Sequence, residues 1–204
     1  MSIVSQYILI QGEADASISH LLQELNIKEY SAEKEVMLYE ANKPKTLFIG
    51  RYKNVLIIVH PSWPFDFFGP KQSETESKFI RLFPKAEMAV LISNEQVNAF
   101  GYALVRDGVK VRMKDGADGD IFNDFGALLP EEIEVKRRIQ KGKILPQEEI
   151  AELREDMSED EVQQYIEFEA WWGVPELIAK RYFDGQTMNH MLGSDTKITR
   201  FVKN

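Results

Sequence analysis

The chain has 204 residues, 44% of them hydrophobic and 28% charged, the composition of a globular domain rather than a disordered one. Its 33 acidic side chains outweigh 25 basic ones, giving a formal charge of −8, and this argues against nucleic acid as a partner, because that binding relies on Lys and Arg neutralising phosphates. With no cysteine in the sequence, disulfides, thiolate catalysis and Cys-ligated metal sites are excluded.

The opening segment MSIVSQYILIQGEAD carries no basic n-region, and its apolar run is interrupted by Ser5 and Gln6. Neither a signal peptide nor a membrane span is expected, and the default setting is cytoplasmic. Ile3–Ile10 reads as a strand closed by Gly12, rich in β-branched and aromatic residues. Ser17 then suits the N-cap of a helix, with Ile18, Leu21, Leu22 and Leu25 at helical spacing. Glu35–Ala41 and Lys45–Tyr52 read as strands, and a Tyr52-Lys53-Asn54 turn leads into Val55–His60, a continuous apolar run of the kind buried on both faces. Pro61–Pro70 (PSWPFDFFGP) is an aromatic, proline-punctuated loop. Ser73 and Glu76 after it match a capping box, and the helix they open stops before Pro84.

Glu87–Gly116 organises the rest. It reads as a strand to Ser93, a polar connection, then a hairpin of Ala99–Val105 with Val109–Lys114 about Asp107-Gly108, since glycine accepts the positive φ of such a turn. Ala117–Glu132 is acidic and Gly-punctuated and reads as turns, Glu131–Ile139 as a charged helix, and Leu153–Ser158 as an acidic hinge. Ser158 and Glu161 form a second capping box, opening a helix with Val162, Tyr165, Ile166 and Trp172 on one face. Gly173 suits its end, Pro175 the start of a further helix, and Lys197–Val202 an edge strand. The order implies an α+β fold: a mainly antiparallel sheet with helices packed on one face and a C-terminal helical element. Residues 1–130 form the sheet domain and 131–204 a helical extension packed on it, together one structural domain.

The hairpin and the segment after it carry a resemblance. Ser93 or a neighbour, Tyr102-Ala103, Asp107-Gly108, Arg112 and then Asp124-x-Gly126-x-x-Leu129-Pro130-x-Glu132 are similar to the pattern of a family of uncharacterised bacterial proteins of unknown function. The resemblance covers roughly the first two thirds of the chain. The family has a His–Ser pair before the Tyr-Ala strand where this chain has Ile92-Ser93, and no activity is implied.

Candidate chemistry is sparse. His60 ends a strand and Asp66 follows in the aromatic loop, which suits an acid–base histidine oriented by a carboxylate, with Trp63, Phe65, Phe67 and Phe68 as an apolar wall. The plainer reading is a His-Pro strand end with aromatics pinning the loop. Ser93-Asn94-Glu95 offers hydroxyl and amide groups at a strand end, but no Gly-x-Ser-x-Gly elbow surrounds Ser93, and a side chain-to-backbone turn explains it as well. Asp115, Asp118, Asp120, Asn123 and Asp124 make an oxygen-rich stretch lacking the terminal Glu of a calcium loop, so no metal is expected. No phosphate-binding glycine motif is present, and no cofactor is expected. His20 and His190 read as surface residues.

The leading expectation is a non-catalytic domain that binds a protein partner or a small ligand. Its pocket would lie where the ends of Val55–His60 and Glu87–Ser93 meet, with Arg51 and Arg112 as anion contacts and Trp63, Ser93 and Asn94 nearby. The alternative is a hydrolase using His60 and Asp66, which requires an accessible His60 bonded to a carboxylate. Trp171 and Trp172 suggest a homo-oligomer contact if exposed, or a helix packed on its own sheet if buried.

Overall fold

The computed structural model describes residues 4–12, 18–25, 27, 29–41 and 46–203. Ile3, Ser17 and Lys45, which open three of the expected elements, lie outside the described residues. The core begins with β1 (Val4–Gln11), flanked on one side by β4 (Val55–Val59) and on the other by β5 (Glu87–Asn94), both antiparallel to it. Outward from β4 come β3 (Leu47–Tyr52), β9 (Lys197–Lys203) and the edge strand β2 (Tyr30–Met37). Outward from β5 come β6 (Ala99–Arg106), β7 (Val109–Ala117) and the edge strand β8 (Asp120–Gly126), completing a 9-stranded antiparallel sheet.

Asp107 and Gly108 both have positive φ, 48° and 74°, the geometry that matches strand twist in a two-residue hairpin. Asp118 and Gly119 repeat it at 51° and 90°, turning β7 into β8 where only solvated turns were expected. The strand expected over Glu35–Ala41 starts earlier, at Tyr30, and gives way to a 3-10 turn over Leu38–Glu40. β9 is not an edge strand. It inserts between β2 and β3, where Gly50 faces Ile198 so closely that a Cβ would sit 2.3 Å from the Ile198 Cγ2. The last segment of the chain thereby belongs to the sheet, not to a helical extension.

The α+β class and the C-terminal helical element are as expected, but the helices divide between both faces of the sheet. Alternation along each strand sends Ile8, Ile10, Ile58, Val90 and Val105 to one side, where α1 (Ile18–Glu24) and α2 (Glu74–Leu82) cover them with Leu21, Phe79 and Phe83. Leu9, Ile57, Leu91, Tyr102 and Leu104 face the other side, under α3 (Pro130–Gln140), α5 (Glu159–Trp172), α6 (Val174–Tyr182) and α7 (Met188–Leu192). The expected hinge at Leu153–Ser158 is largely the end of α4 (Gln147–Asp156), and Ser158 caps α5 as expected. Polar ties fix the second layer: Tyr182 donates to Glu87 Oε1 at 2.7 Å, and Arg181 forks onto Glu131. Among the described residues no helix is long and apolar enough to cross a membrane.

Candidate functional site

Two polar constellations stand out, and they have different characters. The first is centred on a buried ion pair, with the exposed Asp124 at its edge. Arg112 on β7 is fully buried, with its Nε 2.8 Å from Glu132 Oε2 and its Nη2 2.6 Å from Oε1, a bidentate pair with another fully buried side chain. Its Nη1 donates to Asp124 Oδ1 and, at 2.8 Å, to the Phe125 carbonyl. Tyr102 OH donates to Glu132 Oε1 at 2.8 Å, and Glu132 Oε2 also accepts from the Leu129 N–H at the start of α3, again at 2.8 Å. Lys114 adds a hydrogen bond to Asp124 Oδ2 and stands 3.8 Å from the centre of the Trp171 ring. Burial, with the Glu132 charge beside it, holds the Tyr102 phenol far above its ordinary range. Burial pushes the Asp124 carboxyl up, but the hydrogen bonds from Arg112 and Lys114 outweigh it and the net shift is down.

Tyr102, Arg112, Asp124, Leu129 and Glu132 are thus one hydrogen-bonded lock joining β6, β7, β8 and α3. Every nitrogen of Arg112 is engaged inside the protein. The anions it contacts in this structure are the chain's own Glu132 and Asp124.

His60 is buried at the end of β4, stacked on Trp63 with ring centres 4.0 Å apart. Its Nδ1 accepts from the N–H groups of Ser62 and Trp63, each at 3.2 Å, which puts the ring proton on Nε2. Asp66 instead accepts from Thr75 Oγ1 at 2.6 Å and acts on His60 only through space. The geometry is that of a cap on the strand end, and the dyad a hydrolase would require is not formed. Burial lowers the His60 pKa from 6.5 to about 4, the Asp66 charge offsetting it only in part. The native state therefore binds fewer protons than the unfolded chain below pH 6.5. The resulting stability is fully present above that pH and is lost as pH falls toward about 4. The loss is on the order of 3 kcal/mol. Urea midpoints measured across this window should fall for the wild type, and His60→Gln should remove that part of the fall; an identical slope in the variant would refute the assignment.

The other expected site residues scatter. The ends of β4 and β5 do lie at the same end of the sheet, with β1 between them, since Tyr7 pairs with Val59 and Ser5 with Ser93. Their side chains diverge, however. Trp63, on which His60 stacks, packs toward Phe79, whereas Ser93 lines a cavity of about 20 Å3 with Tyr7, Trp172 and Met188 on the opposite face. That volume suits at most about one water. Asn94 accepts from the Gln96 N–H at 3.0 Å, so it makes the local turn. Arg51 is exposed on β3, apart from these groups. Trp171 is buried, and Trp172 is half-buried against Phe100 and Phe168, so the aromatic helix packs on its own sheet.

The second constellation is open. A cleft of about 460 Å3 lies between the end of the aromatic loop, α2 and the β7–β8 edge. Ile80, Met113 and Phe125 supply apolar walls, and Glu76, Lys110 and Asn123 supply polar groups. The Gly69 N–H donates to Met113 Sδ at 3.3 Å, fastening the loop to the cleft floor. Glu76 is almost wholly buried, with its Oε2 2.9 Å from Lys110 Nζ in an ion pair that is not aligned as a hydrogen bond. Lys110 donates at 2.7 Å to the Phe67 carbonyl. Burial raises the Glu76 carboxyl pKa more than Lys110 lowers it. By sequence Glu76 reads only as a capping residue. The missed signal is its spacing: Glu76, Phe79 and Phe83 recur along one helical face, so a carboxylate stands on the apolar stripe of α2. No short-range pattern connects it with Lys110 or Asn123.

The acidic stretch does not converge. Asp124 serves Arg112 and Lys114, and Asp118 forms the β7–β8 turn. Among the described residues no group of three or more His, Asp or Glu side chains is arranged to hold a metal. Comparison of the chain with protein-family models, with curated proteins and with solved structures finds no match.

Proposed function

We propose that the chain is a non-catalytic binding domain whose ligand is a small molecule held in the cleft between α2, the aromatic loop and the β7–β8 edge. The observation that carries this reading is the cleft itself. Its volume of about 460 Å3 falls within the range of small-molecule sites, roughly 300–1,000 Å3, and its walls combine apolar side chains with the polar Gln72, Glu76, Lys110, Asn123 and Asp124. The internal pairing of Glu76 with Lys110 makes the interior close to neutral, which favours an uncharged or weakly charged ligand. A binding role without chemistry is further supported by His60, whose Nδ1 is taken up by backbone donors. The net charge of −8 disfavours nucleic acid, and the cysteine-free sequence supports a cytoplasmic setting.

The test is a thermal-shift screen over sugars, nucleotides, amides and common metabolites, run on wild type beside Gln72→Trp, which adds bulk to the cleft lining, and Phe125→Ser, which removes a wall. A ligand at a hundred times its dissociation constant contributes about 2.7 kcal/mol, a rise of several degrees. The shift should shrink or vanish in both variants. A panel without a hit, or a hit of equal size in all three proteins, would overturn the reading.

A further inference from the structure

The two edges of the sheet are built differently. β2 presents Glu33, Lys34 and Glu35 to solvent, and Glu33 is paired with Arg200 of β9. Charged side chains along an edge oppose the addition of another strand. At the other edge β8 presents Ile121, Phe122 and Phe125, which are 41%, 62% and 53% exposed. Among the described residues β8 pairs with β7 alone. Asn123 faces Asp115 and Ile121 faces Gly116, so Phe122 is the extra residue of a bulge, and β7 supplies it no cross-strand neighbour. An open strand edge bearing large apolar side chains is a template for strand addition.

We propose that β8 is the seat of a two-fold homodimer, in which the β8 strands of two copies pair antiparallel about Asn123. This pairing sets Ile121 against Phe125, Phe122 against Asp124, and Asp120 against Gly126, so no carboxylate meets a carboxylate. Asp124 is moreover neutralised within its own chain by Arg112 and Lys114. A foreign strand would need its own matching sequence, whereas a second copy matches by symmetry, as isologous interfaces require. Area sets a further condition. Stable dimers bury roughly 1,200–2,000 Å2 in total, more than one 7-residue strand per copy provides. Leu128 and Ile133, exposed and just beyond β8 in the chain, are the apolar side chains the dimer would need to add to the strand. The association surface is therefore β8 rather than the aromatic helix carrying Trp171 and Trp172.

Sedimentation equilibrium of the full chain over a concentration series tests this. The wild type should reach twice the 23.6 kDa of one chain. Phe122→Lys and, separately, Ile121→Lys should return it to the single-chain mass with an unchanged far-UV circular dichroism spectrum. Ala32→Lys on the β2 edge should leave the dimer intact. Neither Phe122 nor Ile121 lines the ligand cleft, but Asn123, Asp124 and Phe125 of the same strand do, so the thermal shift of the Phe122→Lys protein is read beside its mass: a single-chain mass with the ligand shift retained separates loss of the dimer from loss of the cleft. A wild type that stays at one chain mass throughout overturns the proposal. So does a dimer that survives both β8 substitutions, or one dissolved by Ala32→Lys.

Discussion

Replacing Arg112 with alanine is expected to lower the unfolding free energy by about 3–5 kcal/mol, the cost of removing one partner from a buried ion pair. The size reflects the groups left behind. Glu132 would be left at a fully buried position without its bidentate partner, with only the Tyr102 hydroxyl and the Leu129 N–H as donors. Asp124 would lose its strongest contact, and the carbonyls of Phe125 and Gly126 would lose the guanidinium that orders the end of β8. The double variant Arg112→Met/Glu132→Leu removes both charges together and should recover part of that loss, because an apolar pair of similar volume leaves no uncompensated ion. Recovery stays incomplete, since the Tyr102 hydroxyl and the Leu129 N–H are then unpaired. Denaturant midpoints at constant m-value give both numbers. An Arg112→Ala cost below about 1 kcal/mol would mean that water reaches the pair, and the description of a buried ion pair would fail.

The residues of that lock hold β6, β7, β8 and α3 together and are used up in doing so. Much of the framework is legible in the chain itself. The strands β1, β4, β5 and β6 are apolar runs bounded by Gly, Pro or polar turns, and the Asp107-Gly108 turn announces its hairpin. Asp118-Gly119 is the same signal, yet it is obscured. The strand beyond it, Asp-Ile-Phe-Asn-Asp-Phe-Gly, carries a bulge that breaks the period of two, and its exposed edge position leaves no buried stripe to read. β9 is hidden for a different reason. Its partners β2 and β3 lie well over a hundred residues earlier, and local pattern gives strand propensity but not sheet position. His60 and Asp66 are close in sequence, which suggests a dyad, but the 3-10 turn over Trp63–Phe67 directs backbone N–H groups onto the ring while Thr75 takes the carboxylate. The cleft joins α2, the loop and β7–β8, and only the tertiary fold assembles it.

Phe79 decides how firmly that cleft is held. It is fully buried on the inner face of α2, with its ring centre 6.0 Å from Trp63, 5.8 Å from Phe67 and 6.4 Å from Phe83. Truncation to alanine should cost about 3–5 kcal/mol, through lost transfer energy and the cavity left among rings that cannot close over it. Phe79→Leu, which keeps most of the volume, should cost distinctly less. Because α2 carries Glu76 and Ile80 into the cleft and Phe67 offers its carbonyl to Lys110, the damage should be local before it is global. Hydrogen exchange should speed up first over the aromatic loop and α2, while the β6–β7 amides stay protected. If Phe79→Ala instead loosens the whole sheet uniformly, the ring cluster is part of the general core. If α2 and the loop open first, then the ring cluster is what sets the shape of the cleft, and a ligand bound there should close them again.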